Sequence, residues 1–214
     1  VIVRHSEGGN WESALALGML IHRYGWDVEV QGLCASSCAN FIFPAGKTKY
    51  LNSDALLLFH GGPHQANLRE QYEAADRGLA ARESPEAIKS TMAKIQGPKG
   101  TEASGEYDPD GVDARRRIRE FMGLLVPYTN VAALEQLIAA SDRFYADLGV
   151  DIQMPTYGQV GRYEPTYKSE EYLGFSYPLD SLQRFGVHSI QVLGGEWHPE
   201  RHPLFPRVYE VTFP

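Results

Sequence analysis

Short apolar runs punctuate the first sixty residues: Val1-Ile2-Val3, residues 28–30, and residues 55–59, the last apolar at every position. A run of that length without polar alternation fits a strand buried on both faces. Between the first two runs the period becomes helical. Asn10 can cap a helix reaching to about Tyr24, with Leu17, Leu20, Ile21 and Tyr24 on one face, and Gly25 can end it. Residues 36–43 read as a short buried helix. Pro44 should end or kink it, because a proline nitrogen cannot donate to the carbonyl of Asn40. Strands and helices alternating at this spacing predict an α/β fold with a mostly parallel sheet.

From Leu68 the texture is helical, with helices expected over 68–80, over 85–95 behind a Ser84 cap, over 112–125, and over 131–148 behind an Asn130 cap. Residues 97–111 are rich in Gly, Pro, Asp, Glu and Ser without an apolar period, which predicts an exposed, mobile loop. The remainder is rich in Tyr, Pro and Gly, with strands expected at 189–193 and 207–213. The expected organisation is a core over 1–62, a helical insertion over 63–148, and a segment over 149–214 that completes the same domain. Val1-Ile2-Val3 reads as a strand already under way, which leaves open a trimmed chain, a processed one, or residues missing before Val1.

Composition narrows the class. Among 214 residues 43% are apolar and 22% charged, as in ordinary globular proteins rather than disordered or fibrous ones. With 20 Lys and Arg against 27 Asp and Glu the formal charge is -7, and no run of five or more basic residues exists to track a phosphate backbone. Nucleic acid is therefore not an expected partner. No apolar stretch approaches the roughly 20 residues that cross a bilayer, so no membrane span is expected.

Candidate chemistry gathers where strands give way to helices. In Ser6-Glu7-Gly8-Gly9-Asn10 paired glycines allow a sharp turn and leave peptide N–H groups uncovered beside a helix N-terminus. The same pair also makes an ordinary strand-to-helix turn. In Gly32-Leu33-Cys34-Ala35-Ser36-Ser37-Cys38-Ala39 small residues lead from a strand into an apolar helix. Ser36 there is either a helix cap or a nucleophile, with the N–H of Ser37 in the unsatisfied first turn aimed at the oxyanion its attack would create. His60 ends the apolar strand and precedes Gly61-Gly62, at the sheet edge where α/β folds bind ligands. It can be a general base or a histidine packed beneath a loop.

Together these segments resemble the Clp-protease-like serine peptidases of the Clp/crotonase fold, closest to the exported branch in which cysteines flank the serine. The close match covers about residues 1–62. The resemblance implies a Clp/crotonase-like ββα superhelix, a mostly parallel sheet and a helical insertion serving as handle or lid. It implies Ser36 as nucleophile, His60 as base, and an oxyanion hole from the N–H groups of Gly9 and Ser37. Ser141-Asp142-Arg143-Phe144 resembles the acid-bearing stretch, so Asp142 is the preferred third member, with Asp151, Glu170 and Glu171 as rivals. A peptide or protein substrate, homo-oligomeric assembly and a periplasmic or otherwise exported location follow from the same resemblance, and no cofactor does. Two departures stand out: Glu7 occupies a position usually held by proline, putting a carboxylate near an anion-stabilising corner, and Pro44 interrupts the helix after the serine. Two other functions stay open, a catalytically silent binding or assembly protein and a crotonase-type acyl-thioester enzyme.

Cys34 and Cys38 bracket Ser36 at an interval that permits a disulfide or two small buried thiols. No metal site is expected. C-x-x-x-C lacks a second ligand pair, and the four-residue spacing of His198 with His202 and of His60 with His64 is interrupted by prolines or glycines. Arg115, Arg116, Arg117 and Arg119 read as a solvated helix face, and no phosphate-binding glycine motif follows a strand.

Overall fold

The computed structural model describes residues 1–65, 67–82, 131–169 and 171–213. The chain divides into two compact units, residues 1–65 with 137–214, and residues 66–136. The helices expected over 85–95 and 112–125, the loop over 97–111, and Glu170 lie outside the described residues.

The first unit is a mixed α/β structure built on a parallel sheet. Strand β1 (Ile2–Ser6) leads through Gly8 and Gly9 into helix α1 (Trp11–Tyr24). The Asn10 side chain accepts the Ser13 N–H at 2.7 Å, and Gly25 closes the helix in the left-handed region at φ 61°. Both caps are the ones expected from the sequence. Strand β2 (Val28–Ala35) is the spine of the sheet. Its other edge is shared by two shorter strands, β3 (Lys49–Asn52) along residues 28–30 and β4 (Leu56–Leu58) along residues 33–35, and all these pairs run parallel. Strand β6 (Ile190–Leu193) extends the sheet beyond β3. A second parallel pair, β5 (Gly174–Ser176) with β7 (Val208–Glu210), is stitched to the end of β4 by paired backbone bonds between Phe59 and Phe175 at 2.7 Å.

The buried face of α1 is not the expected one. Leu15, Gly18 and Ile21 are buried, whereas Leu17, Leu20 and Tyr24 are exposed. Gly18 decides this. A Cβ there would lie 2.5 Å from the Phe41 carbonyl oxygen, so the helix meets its neighbour backbone to backbone on its small-residue side. The leucine stripe is left outside.

After β2 the chain turns at Ser36 into a π-turn (Cys38–Ile42) continuous with the short helix α2 (Phe43–Ala45). The widened turn accommodates Pro44 without breaking the segment. The Asn40 carbonyl, which Pro44 cannot serve, accepts the Tyr145 hydroxyl at 2.9 Å. Tyr145 belongs to helix α4 (Val131–Leu148), whose Phe144 and Tyr145 pack on Phe41. A small helix α5 (Glu164–Lys168) and helix α6 (Leu179–Arg184) complete the unit. Two clusters of buried apolar side chains fill it, the larger including Leu57 and Phe59 of the β4 segment and the smaller Leu33, Ala35, Leu56, Leu58 and Val208.

The second unit holds helix α3 (Leu68–Arg82) and the beginning of α4. Arg69 bridges them, reaching Glu73 at 3.3 Å and Glu135 at 2.8 Å. Among the described residues no helix is long and apolar enough to cross a membrane.

Candidate active site

The parallel register brings three chain segments to one edge of the sheet. Ser6 of β1 is level with Cys34 of β2, and Ala35 of β2 is level with Leu58 of β4. The residues leaving these strands, Gly8 and Gly9, Ser36, and His60, therefore emerge at the C-terminal edge, where open α/β sheets carry ligands.

Ser36 sits on a strained corner. Its φ is 57°, and among the described non-glycine residues only Ser189 shares a positive φ. A side chain in the left-handed region costs free energy, so the conformation persists only if its surroundings enforce it. They do so from both sides. The Ser36 N–H donates to the Leu58 carbonyl at 2.8 Å, and the Ser36 carbonyl accepts the Asn40 N–H at 2.9 Å. Cys34 and Cys38 are joined by a disulfide, with Cα atoms 5.3 Å apart, that spans the corner. Of the two states the sequence left open for these thiols, the structure has the bridge.

The Ser36 side chain caps no helix and carries no hydrogen bond among the described residues, and the residue is 6% exposed. Gly8, from the turn after β1, lies against it. A Cβ at Gly8 would stand 2.5 Å from Ser36 Cβ, 3.1 Å from Ser36 Oγ and 2.8 Å from the Ala35 carbonyl oxygen. Only glycine lets the first corner lie this close to the second. The Gly8 N–H is occupied by Ser6 Oγ at 3.3 Å, whereas a Cβ at Gly9 would meet open space. The backbone at Gly9 therefore borders open space, and Ser37 opens the turn that follows Ser36. Glu7 does not intrude. Its side chain is 86% exposed and pairs with His5 at 3.7 Å.

His60 is exposed, and its ring has no hydrogen bond or ion pair among the described residues. Its backbone is fixed instead. Gln159 Nε2 donates to the His60 carbonyl at 2.9 Å, and buried Asn40 donates through Nδ2 to the next carbonyl, Gly61, at 2.8 Å. Gly174 at the head of β5 passes beside the His60 Cβ, where a Cβ of its own would come within 3.0 Å.

Asp142 is brought to the neighbourhood, but to a different imidazole: its Oδ1 lies 2.6 Å from Nε2 of His64. Asp151 instead accepts the Gln153 N–H at 2.8 Å, closing a local turn, and Glu171 is exposed. Among the described residues no carboxylate is hydrogen-bonded to His60.

Asn40, Gln159 and Tyr145 were not singled out from the sequence. Asn40 had a readable signal, a lone amide in a helix otherwise apolar on all sides. Gln159 and Tyr145 had none, because their partners lie 99 and 105 residues away. Elsewhere, His198 pairs with Glu200 at 2.8 Å and His202 accepts the Leu204 N–H at 3.2 Å, and a 3₁₀ turn (Pro199–Arg201) separates them. Among the described residues no group of three His, Cys, Asp or Glu side chains is arranged to hold a metal ion. A groove of about 570 Å³ is lined by residues 1–6 of the β1 segment with Leu17 of α1 and Cys38 and Ile42 of the π-turn.

Compared with protein-family models, curated proteins and solved structures, the chain gives no match.

Proposed function

We propose that this chain is a serine hydrolase of the Clp/crotonase type, acting on peptides. The observation that carries the reading is Ser36: an unbonded hydroxyl on a left-handed strand-to-helix corner, pressed against Gly8. A nucleophile needs this arrangement, since its attack creates negative charge on an oxygen that fixed donors must meet without reorganising.

In the proposed reaction Ser36 Oγ attacks the peptide carbonyl carbon while His60 takes the hydroxyl proton. The carbonyl oxygen gains the charge and is held by the amides of Gly9 and Ser37. Collapse breaks the C–N bond, and His60 returns the proton to the leaving amine. Water, deprotonated by the same imidazole, then cleaves the acyl ester. The groove beside β1 supports an extended peptide adding to the sheet edge as a further strand. The helical segment is then a handle or lid. Homo-oligomeric assembly belongs to the same reading. So does an exported, periplasmic location, with which the Cys34–Cys38 disulfide agrees.

The test is labelling by a fluorophosphonate. The wild-type protein should be modified at Ser36, and Ser36→Ala and His60→Ala should abolish labelling while the circular dichroism spectrum stays unchanged. Folded wild-type protein that resists the probe overturns the reading in favour of a silent binding protein, which the bare His60 ring favours. Thioester turnover that survives Ser36→Ala would mark the crotonase alternative.

A further inference from the structure

The contact between His64 and Asp142 has no place in the mechanism above. Both residues project from segments that hold the reacting groups. His64 lies in the turn that follows His60, where the Gln65 N–H closes back on the Gly62 carbonyl at 3.0 Å. Asp142 lies on α4, whose Phe144 and Tyr145 pack against Phe41 of the post-serine segment. The pair is in close contact at 2.6 Å, and it is an ion pair when His64 is protonated. Three neutral hydrogen bonds also hold the turn: Asn40 to the Gly61 carbonyl, Gln159 to the His60 carbonyl, and Gln65 to the Tyr167 hydroxyl.

We infer that Asp142 serves the reaction as a positioning residue acting through His64: the pair clasps the His60 turn to α4, and catalysis runs through a Ser36–His60 dyad with no carboxylate of the described residues on the His60 ring. This rests on the hydrolase reading above and specifies how that site is held. In a triad the acid contacts the base directly, fixing its tautomer and stabilising the imidazolium, so its loss is severe and moves the pH dependence. A clasp acts on geometry alone. Its loss displaces the base slightly, which costs about ten- to a hundredfold in rate without changing the ionisation of the base. Ser141, next to Asp142, is buried with its hydroxyl unpaired, so α4 offers no alternative polar tie at that point.

The measurement is the rate of fluorophosphonate labelling of Ser36 from pH 5 to 9 in Asp142→Asn, His64→Ala, the double variant, His64→Gln and His60→Ala. The clasp requires Asp142→Asn, His64→Ala and the double variant to slow labelling by the same about ten- to a hundredfold, with no further loss in the double. It requires the midpoint of the pH profile to stay that of the wild type. His64→Gln, which keeps a donor for Asp142, should restore much of the rate. His60→Ala should abolish labelling. Three results overturn the inference while leaving the hydrolase intact: a thousandfold or greater loss with a shifted midpoint in Asp142→Asn alone, abolition by His64→Ala with His60→Ala still active, or wild-type rates in both clasp variants. Failure of wild-type Ser36 to label at all overturns the hydrolase reading instead.

Discussion

Gly8 is the residue on which the site's geometry turns. It combines a φ of 93° with a neighbour, Ser36, that a methyl group would strike. Gly8→Ala should therefore destabilise the fold by about 1–3 kcal/mol and, on the proposed mechanism, abolish Ser36 labelling, because relief of the clash must move Ser36 or the Gly8-Gly9 corner. Thermal melts and probe labelling of the same sample would check both. Lys49 sets a different kind of residue-scale constraint. It is buried, its ammonium donates to the Gly46 carbonyl at 2.7 Å, and burial lowers its pKa from 10.5 to about 8. Below pH 8 the folded protein bears the full cost of that buried charge. As pH rises from about 8 towards 10.5 the folded chain gives up the proton while the unfolded chain keeps it, so stability rises over that window. Urea midpoints at pH 7.5 and 9.5 should show this gain in the wild type. Lys49→Met should remove the gain and raise the lower-pH stability by on the order of 1 kcal/mol.

At the scale of elements, the segment from β2 through Ser36 into the π-turn is held by the Cys34–Cys38 bridge. A cross-link over a separation of four residues removes little chain entropy, about 2 kcal/mol on the chain-entropy estimate. Its larger effect is on the corner it spans. Reduction by dithiothreitol, or Cys34→Ala with Cys38→Ala, should lower the urea-derived stability by about 2 kcal/mol and slow Ser36 labelling disproportionately, because a left-handed serine relaxes once its flanks are free. Labelling that keeps its rate after reduction would show that the Leu58 and Asn40 backbone bonds suffice to hold the corner. Helix α1 shows how an element can be legible and still be turned wrongly. Its start at Asn10 and its stop at Gly25 were readable because caps are local chemistry. Its buried face was not, because the leucine stripe is the more hydrophobic while the Gly18 side permits the closer approach to Phe41.

Across the whole molecule the site depends on contacts between residues remote in the chain. Tyr145 is fully buried, which raises its pKa well above the ordinary value and keeps the phenol un-ionised. Its hydroxyl serves the Asn40 carbonyl, and Asn40 in turn holds the turn after His60. Tyr145→Phe should leave that carbonyl without this donor and cost about 1–3 kcal/mol in urea unfolding at unchanged m-value. On the proposed mechanism it should also slow labelling, since the same asparagine anchors the turn after His60. If stability falls and labelling does not, the Asn40 link is structural alone.

The sequence by itself determined the strand–helix alternation, the capped ends of α1, the glycine and small-residue corners, and the strand that delivers His60. Each depends on residues within a few positions of one another, where backbone sterics and hydrogen-bonding capacity act directly. Tertiary structure decided what those segments meet: which face of α1 is buried, that Cys34 and Cys38 are bridged, that Gly8 touches Ser36, and that Asp142 takes His64 rather than His60. These outcomes compare contacts between distant parts of the chain. Two histidines four residues apart offer the same chemistry to an aspartate, and only the packing of α4 on the post-serine segment selects between them.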